Sequence, residues 1–383
     1  MFFSKGPGPI QWLIIPLIRL FIIDTSSSSL TDLNNEEITL PITKSISSSS
    51  SSATTFNRYR IFKLIFSFLG LQISYLLWGL IQERIMTRTY DDEKFTNSQY
   101  LVFVNRCLAT ITAYMLLRII YPTKNMSLLG PPLYKFGIIS YANCMSTWFQ
   151  YESLLYISFS VQVLVKSIKA IPVMIMEKFI SGKTYSVRQY LVVLMMAAGI
   201  ALFFTGYYEN STNSLAAKKS KSNITTFNGV FLLFCYLMFD AFTSNYQKHI
   251  FDRYSISFLN MMFFVNFFST VLTLTSLILN GTLLQCLSFM QQHKSFAMHV
   301  FATSICSSIG QLFIFSTIEE FGPVVFTIIM TMRQALSILL SCIFYDHHLT
   351  WFAILGIHIA FLAIFLHAFI QFKRSKPISN NVV

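Results

Sequence analysis

The sequence predicts an all-α polytopic membrane protein of about ten transmembrane helices, arranged as two inverted five-helix repeats. Three observations predict it. Charged residues are 11% of the chain, against roughly 25% in a soluble domain, while 54% is hydrophobic and the mean hydropathy is +0.57. A water-facing protein lacks the polar surface to cover that much apolar side chain, so the apolar surface belongs in lipid. Apolar runs long enough to cross hydrocarbon recur at 61–82, 100–121, 135–157, 160–180, 187–207, 227–247, 257–279, 298–318, 322–344 and 350–372. A weak repeat at an offset of 164 residues pairs Ser140 with Ser304, Lys169 with Arg333 and Val187 with Trp351. Five spans separate the copies, and an odd number reverses membrane orientation, which is the inverted-repeat arrangement of many transporters.

The chain divides into a tail (1–57), a ten-helix domain (58–372) and a short C-terminal tail (373–383). The tail holds an apolar stretch at 10–23, broken by Pro16 and Arg19 and too short to span. Serine runs at 26–29 and 47–52 follow, without apolar periodicity, and read as a disordered linker. Alternating the spans puts Arg58, Arg60, Lys63, Lys178, Lys183, Arg188, Lys248, Arg253, Lys373, Arg374 and Lys376 on one face, the expected cytosolic side. Lys218, Lys219 and Lys221 fall on the opposite face, together with glycosylation sequons at Asn210, Asn223 and Asn280.

The formal charge of +12 would raise nucleic acid as a partner of a soluble protein, but these cations lie mostly in loops and tails facing lipid headgroups. The expected partners are membrane lipid and a small-molecule substrate, with no nucleic acid and with self-association left open. Six scattered cysteines (Cys107, Cys144, Cys235, Cys286, Cys306, Cys342) read as packing residues without metal-ligand spacing. No cofactor, metal or enzymatic activity is expected, because no metal cluster, His-Asp pair or glycine-rich phosphate loop occurs outside the spans.

Charges inside the spans carry the functional information. Lys166 and Lys169 stand three residues apart in the fourth run, near mid-membrane on one expected helical face. A lysine at the bilayer centre costs roughly 3 kcal/mol, so two together call for an anion. Arg333 occupies the position equivalent to Lys169 under the repeat. Glu152 and Asp240 are the intramembrane acids available for ion pairing, which leaves a positive surplus suited to an anionic substrate. Polar and aromatic residues at similar depth, namely Asn143, Gln150, Tyr151, Glu152, Tyr75, Trp78, Asn266, Gln311 and Gln334, are candidate contacts or helix-joining groups. His358 and His367 read as packing or pore-edge residues.

The segment 70–88, running from Gly70 through Tyr75 and Trp78 to Arg88, resembles the first-span signature of Golgi adenosine 3'-phospho 5'-phosphosulfate transporters. Segments 148–152, 162–174, 239–245, 261–269, 310–315 and 326–342 are similar to the same group, covering about residues 62–370. The resemblance implies the nucleotide-sugar transporter family and the drug/metabolite transporter fold of ten helices in two inverted halves. It also implies Golgi location and exchange of 3'-phosphoadenosine 5'-phosphosulfate for an adenine nucleotide, with a nucleotide sugar as the alternative substrate. By the same resemblance Lys166, Lys169 and Arg333 bind phosphate, and the substrate-site set adds Gln150, Tyr151, Glu152, Asn266, Gln334, Tyr75 and Trp78.

Overall fold

The computed structural model describes residues 49–87, 89–91, 93–95, 97–120, 131–153, 156, 162, 165–166, 168–214, 227–344 and 351–374. The segment 10–23, the serine run 26–29, Lys218, Lys219, Lys221, Asn223 and the tail from residue 375 lie outside the described residues, as do the side chains of Tyr151, Asn210, Gln334, Cys342 and His367. Eleven helices and one two-stranded ribbon are present among the described residues. They are α1 (Ser49–Thr87), β1 (Thr89–Tyr90), β2 (Glu93–Lys94), α2 (Ser98–Ile120), α3 (Leu133–Ser153) and α4 (Ala170–Ser181). Then follow α5 (Val187–Ser214), α6 (Phe227–Tyr254), α7 (Phe258–Leu279), α8 (Leu283–Gln292), α9 (Lys294–Phe321), α10 (Pro323–Phe344) and α11 (Trp351–Arg374).

The chain divides into two compact units, Met1–Ser67 and Phe68–Val383. Of the first, the described residues are 49–67, all in α1. The helix begins at Ser49, ahead of residue 58 where the serine-rich linker is expected to end. Once the apolar run has formed the costly first turn, adding Ser, Ala and Thr costs only tenths of a kcal/mol per residue, about 0.7 at most. The remaining description concerns the second unit.

Five described helices meet the length and apolar composition of a membrane span: Arg60–Gln82 within α1, then α2, α6, α7 and α9. Val187–Phe203 and Pro323–Arg333 are shorter apolar helices. The packing is that of a membrane bundle, with apolar side chains outside and polar ones within. Leu69, Ile73, Leu77 and Leu80 form an exposed stripe on α1, and Phe227, Val230, Phe231 and Phe234 one on α6. Gln72, Asn245, Gln247, Asn266, Ser269, Ser304, Ser307, Ser308 and Gln311 are buried. Lipid solvates the leucines, whereas a polar group in hydrocarbon needs a partner from another helix.

Those partners tie the bundle together. Ser140 Oγ on α3 donates to the Val265 carbonyl of α7 at 2.8 Å, and Ser304 Oγ on α9 donates to Asn105 Oδ1 of α2 at 2.8 Å. Gln72 Nε2 on α1 donates to the Ile329 carbonyl of α10 at 3.2 Å, and Asn245 Nδ2 on α6 donates to the Val173 carbonyl of α4 at 3.0 Å. The broadest helix contacts are α5 with α11, α3 with α6 and α2 with α7. At one end of the bundle, Tyr90 of β1, Phe95, Tyr100 and Phe296 pack beside α8, with Cys286 buried among them. Burial pushes that thiol up, and the five cysteines whose side chains are described are all free, consistent with packing roles.

Residues 154, 155 and 157 at the end of the expected third span lie outside the described residues. Two expectations are corrected. The sequon at Asn210 falls within helix α5, which continues past 207 to Ser214, so its backbone is helical and not a loop. The fourth span is not one helix from 160, because α4 starts at Ala170.

The α5–α11 crossing depends on two glycines. A Cβ on Gly356 would lie 2.4 Å from Phe203 N and 2.6 Å from the Gly199 carbonyl oxygen, and one on Gly199 would lie 2.7 Å from Ala360 N. All these neighbours are backbone atoms that cannot rotate aside. Gly356→Ala is expected to destabilise the protein by about 1–3 kcal/mol. Thermal unfolding in detergent should therefore start at lower temperature than in the parent, and an unchanged curve would refute backbone contact at this crossing.

Candidate functional site

A cavity of about 280 Å³ opens between the helices, near the low end of the roughly 300–1,000 Å³ typical of small-molecule sites. Helical periodicity builds its walls. Asp240, Thr243, Ser244 and Gln247 form one stripe of α6, and Ser307, Gln311, Ile314, Phe315 and Ile318 one stripe of α9. Tyr75 and Trp78 of α1, Asn105 and Arg106 of α2, Asn143 of α3 and Lys169 complete the polar lining.

Lys169 reaches the cavity because the chain winds tightly just before α4. The amides of Ile168 and Lys169 donate to the carbonyls of Val165 and Lys166, each at 3.2 Å, three residues back and not four. Pro172 sits in the first turn of α4, where its missing N–H costs no helical bond. Lys166 and Lys169 therefore meet in a turn ahead of α4 and not inside one unbroken helix as the sequence suggests. Lys169 is the residue at the head of α4, and the positive end of that helix adds to its field.

Lys169 Nζ forms an ion pair with Asp240 Oδ2, the two side chains being 15% and 27% exposed. Of the two acids the sequence offered, Asp240 is the partner. Lys166 Nζ lies 5.9 Å from the centre of the Tyr236 ring and within electrostatic reach of Lys169, Arg333 and Asp240. Arg333 Cζ lies 5.9 Å from the centre of the Tyr75 ring, and Arg106 is within electrostatic reach of the same tyrosine. Of the three expected cations Lys169 lines the cavity, whereas Lys166 and Arg333 stand outside its lining, Arg333 lying against Tyr75, which does line it.

Asn266 does not line the cavity; fully buried, it stands behind Arg106 and accepts from its guanidinium. Gln150 and Glu152 on α3 also stand outside this lining; the Gln150 carbonyl accepts from Ser153 Oγ at 2.8 Å and Gln162 Nε2 at 2.7 Å. The side chains of Tyr151 and Gln334 lie outside the described residues. Arg106 was missed by sequence reasoning. Its signal was present, since it is an arginine inside the apolar run 100–121. Among the described residues, Trp78 Nε1, Gln311 Oε1 and Arg333 Nε are buried without a hydrogen-bond partner, so the site keeps donor and acceptor capacity in reserve.

The chain matches the UAA transporter family over residues 63–371. This protein belongs to the UAA transporter family. Among curated relatives, adenosine 3'-phospho 5'-phosphosulfate transporter 1 of Homo sapiens is 43% identical over 323 residues, covering 83% of this chain and 72% of that protein. The protein of the same name from Drosophila melanogaster is 43% identical over 313 residues, covering 80% of this chain but only 65% of its own length. UDP-galactose/UDP-glucose transporter 5 of Arabidopsis thaliana is 35% identical over 323 residues, covering 83% and 90%. A solved crystal structure at 10% identity superposes with a TM-score of 0.57, covering 80% of this chain and 97% of that one, which is a likeness of fold alone. This UAA family member is accordingly a multi-pass membrane transporter and not an enzyme.

Tyr75 fits only because position 310 of this transporter is glycine. A Cβ there would lie 2.6 Å from Tyr75 Cε2, and Trp78 packs edge-on to Tyr75 with ring centres 5.9 Å apart. Gly310→Ala is expected to displace both rings and shift the tryptophan emission maximum. Gly79→Ala, which meets nothing within 4 Å, should leave it unchanged, and equal spectra for the two variants would refute the contact.

Proposed function

We propose that this protein is an antiporter of the Golgi membrane. It carries 3'-phosphoadenosine 5'-phosphosulfate from cytosol to lumen in exchange for an adenine nucleotide such as 3',5'-adenosine bisphosphate or AMP. The observation that carries this reading is a cavity inside an apolar bundle that Lys169 lines, with Arg333 against the lining residue Tyr75 and Lys166 within electrostatic reach of Lys169. The names of the human and fly relatives favour the same substrate.

Reciprocal contacts support a two-repeat, ten-span layout. Val187 and Trp351, paired at the 164-residue offset, are each the first residue of a helix. The α3-to-α7 bond of Ser140 has its counterpart in the α9-to-α2 bond of Ser304, and the α1-to-α10 bond of Gln72 in the α6-to-α4 bond of Asn245. Gly199 and Gly356 face each other across α5 and α11.

In the mechanism, the phosphosulfate and 3'-phosphate groups bind Lys166, Lys169 and Arg333, Arg gripping oxygens in pairs and Lys acting as a point charge. An incoming anion competes with Asp240 for Lys169. Adenine stacks on an aromatic wall that includes Tyr75 and Trp78. The halves then close around the neutralised site. Closing without an anion strands cations in low dielectric, and that penalty couples inward transport to return of a spent nucleotide.

A carrier of UDP-sugars is the second reading, favoured by the Arabidopsis relative. Uptake of labelled donor into proteoliposomes separates the two by competition with UDP-galactose. Lys169→Ala and Arg333→Ala should each lower donor uptake about 10-fold or more at normal protein levels, the scale of one lost charged hydrogen bond. Uptake should also require adenine nucleotide inside the vesicles. Equal uptake into nucleotide-free vesicles contradicts exchange, and full activity of both variants contradicts the site.

A further inference from the structure

We propose that Arg106 is a further anion-binding residue of the transport site, oriented by Asn143 and Asn266 so that its open guanidinium edge takes a phosphate or sulfate group of the substrate. This rests on reading the chain as a carrier of an anionic nucleotide.

Arg106 lines the cavity on α2. Its Nη1 donates to Asn266 Oδ1 at 3.1 Å and its Nη2 to Asn143 Oδ1 at 3.2 Å. The Asn266 amide is held in turn, for its Nδ2 donates to the Met262 carbonyl at 2.8 Å and the residue is wholly buried. Its oxygen is therefore the atom left to meet Arg106. Asn105, the preceding residue, accepts from Ser304 on α9, which fixes that part of α2. Three helices thus hold one guanidinium in a set direction, and the remaining N–H groups are not consumed by these two bonds.

The charge balance distinguishes Arg106 from Lys169. Lys169 has Asp240, while among the described residues the hydrogen-bond partners of Arg106 are two neutral amides and no ion pair involves it. Neutral oxygens orient a guanidinium without cancelling its charge, and an uncompensated charge in a bilayer is expensive. An oxyanion beside Trp78, whose Nε1 donor lacks a partner among the described residues, would supply the missing charge. The competing role is a structural cross-link of α2, α3 and α7. A cross-link stabilises the fold but is indifferent to ligand charge.

The experiment uses the full chain in proteoliposomes, with labelled 3'-phosphoadenosine 5'-phosphosulfate as reporter. Adenosine and 3',5'-adenosine bisphosphate are the competitors. Arg106→Gln keeps a side-chain amide near both asparagines and removes the charge. It should raise the bisphosphate concentration needed for half-inhibition by about 10–100-fold, the scale of one charged hydrogen-bonded contact, while leaving the adenosine value unchanged. Arg106→Lys should recover part of the loss. Equal shifts for the two competitors, or no shift, overturn the proposal.

If Arg106→Gln does not fold, Asn143→Ala decides the matter. It leaves the charge and removes one orienting bond, so it should weaken the bisphosphate more than adenosine, and equal effects again overturn the idea. Should the parent carry labelled UDP-galactose and not the adenine donor, the reading of substrate fails. The role of Arg106 is then scored separately, with uridine against UDP as competitors.

Discussion

A cation in hydrocarbon persists only where something answers its charge, and this constraint organises the molecule. Lys169 is answered by Asp240 in a direct ion pair, and Lys166 stands over the Tyr236 ring within the same field. Arg106 is steadied by two amide oxygens, and Arg333 lies over Tyr75. None of these solutions is as complete as hydration. Of these, Lys169 and Arg106 line the cavity, and Lys166 and Arg333 stand outside its lining.

The rest of the bundle serves to bring those groups together without exposing them. Apolar stripes such as Leu69, Ile73, Leu77 and Leu80 face outward, where lipid accepts them, so burial of leucine contributes little to holding helices together. Close backbone approach and interhelical hydrogen bonds do that work instead. Gly199 and Gly356 let α5 and α11 touch main chain to main chain, while Gly70 and Gly310 leave room for the rings of Phe313 and Tyr75. Glycine at these positions is a packing requirement, not a conformational one, because each lies inside a helix.

The start of α4 shows how local chain geometry and chemistry meet. A continuous helix through residues 160–180 would put Lys166 and Lys169 side by side within an unbroken hydrogen-bond ladder. Tight turns at Ile168 and Lys169 and a helix beginning at Ala170 instead bring Lys169 to the cavity together with the positive end of α4. Proline in the first turn is compatible with that start and with little else in a helix. The turn keeps its backbone partners within the chain, since the amides of Ile168, Lys169 and Ile171 each bond the carbonyl three residues back.

By itself the sequence determined the class of protein, because composition and the length of apolar runs depend on residue identity alone. It also singled out Lys166, Lys169 and Arg333, which are conspicuous because charge is scarce in such runs. The pairing of Lys169 with Asp240 in preference to Glu152, the retreat of Asn266 behind Arg106, and the placement of Gln150 and Glu152 outside the cavity lining were decided by tertiary structure. The physical reason is that periodicity says which residues share a helical face but not which neighbour that face meets. Arg106 was legible as a charge in an apolar run, yet its role depends on Asn143 and Asn266, 37 and 160 residues away in sequence, and only folding brings them within hydrogen-bond reach.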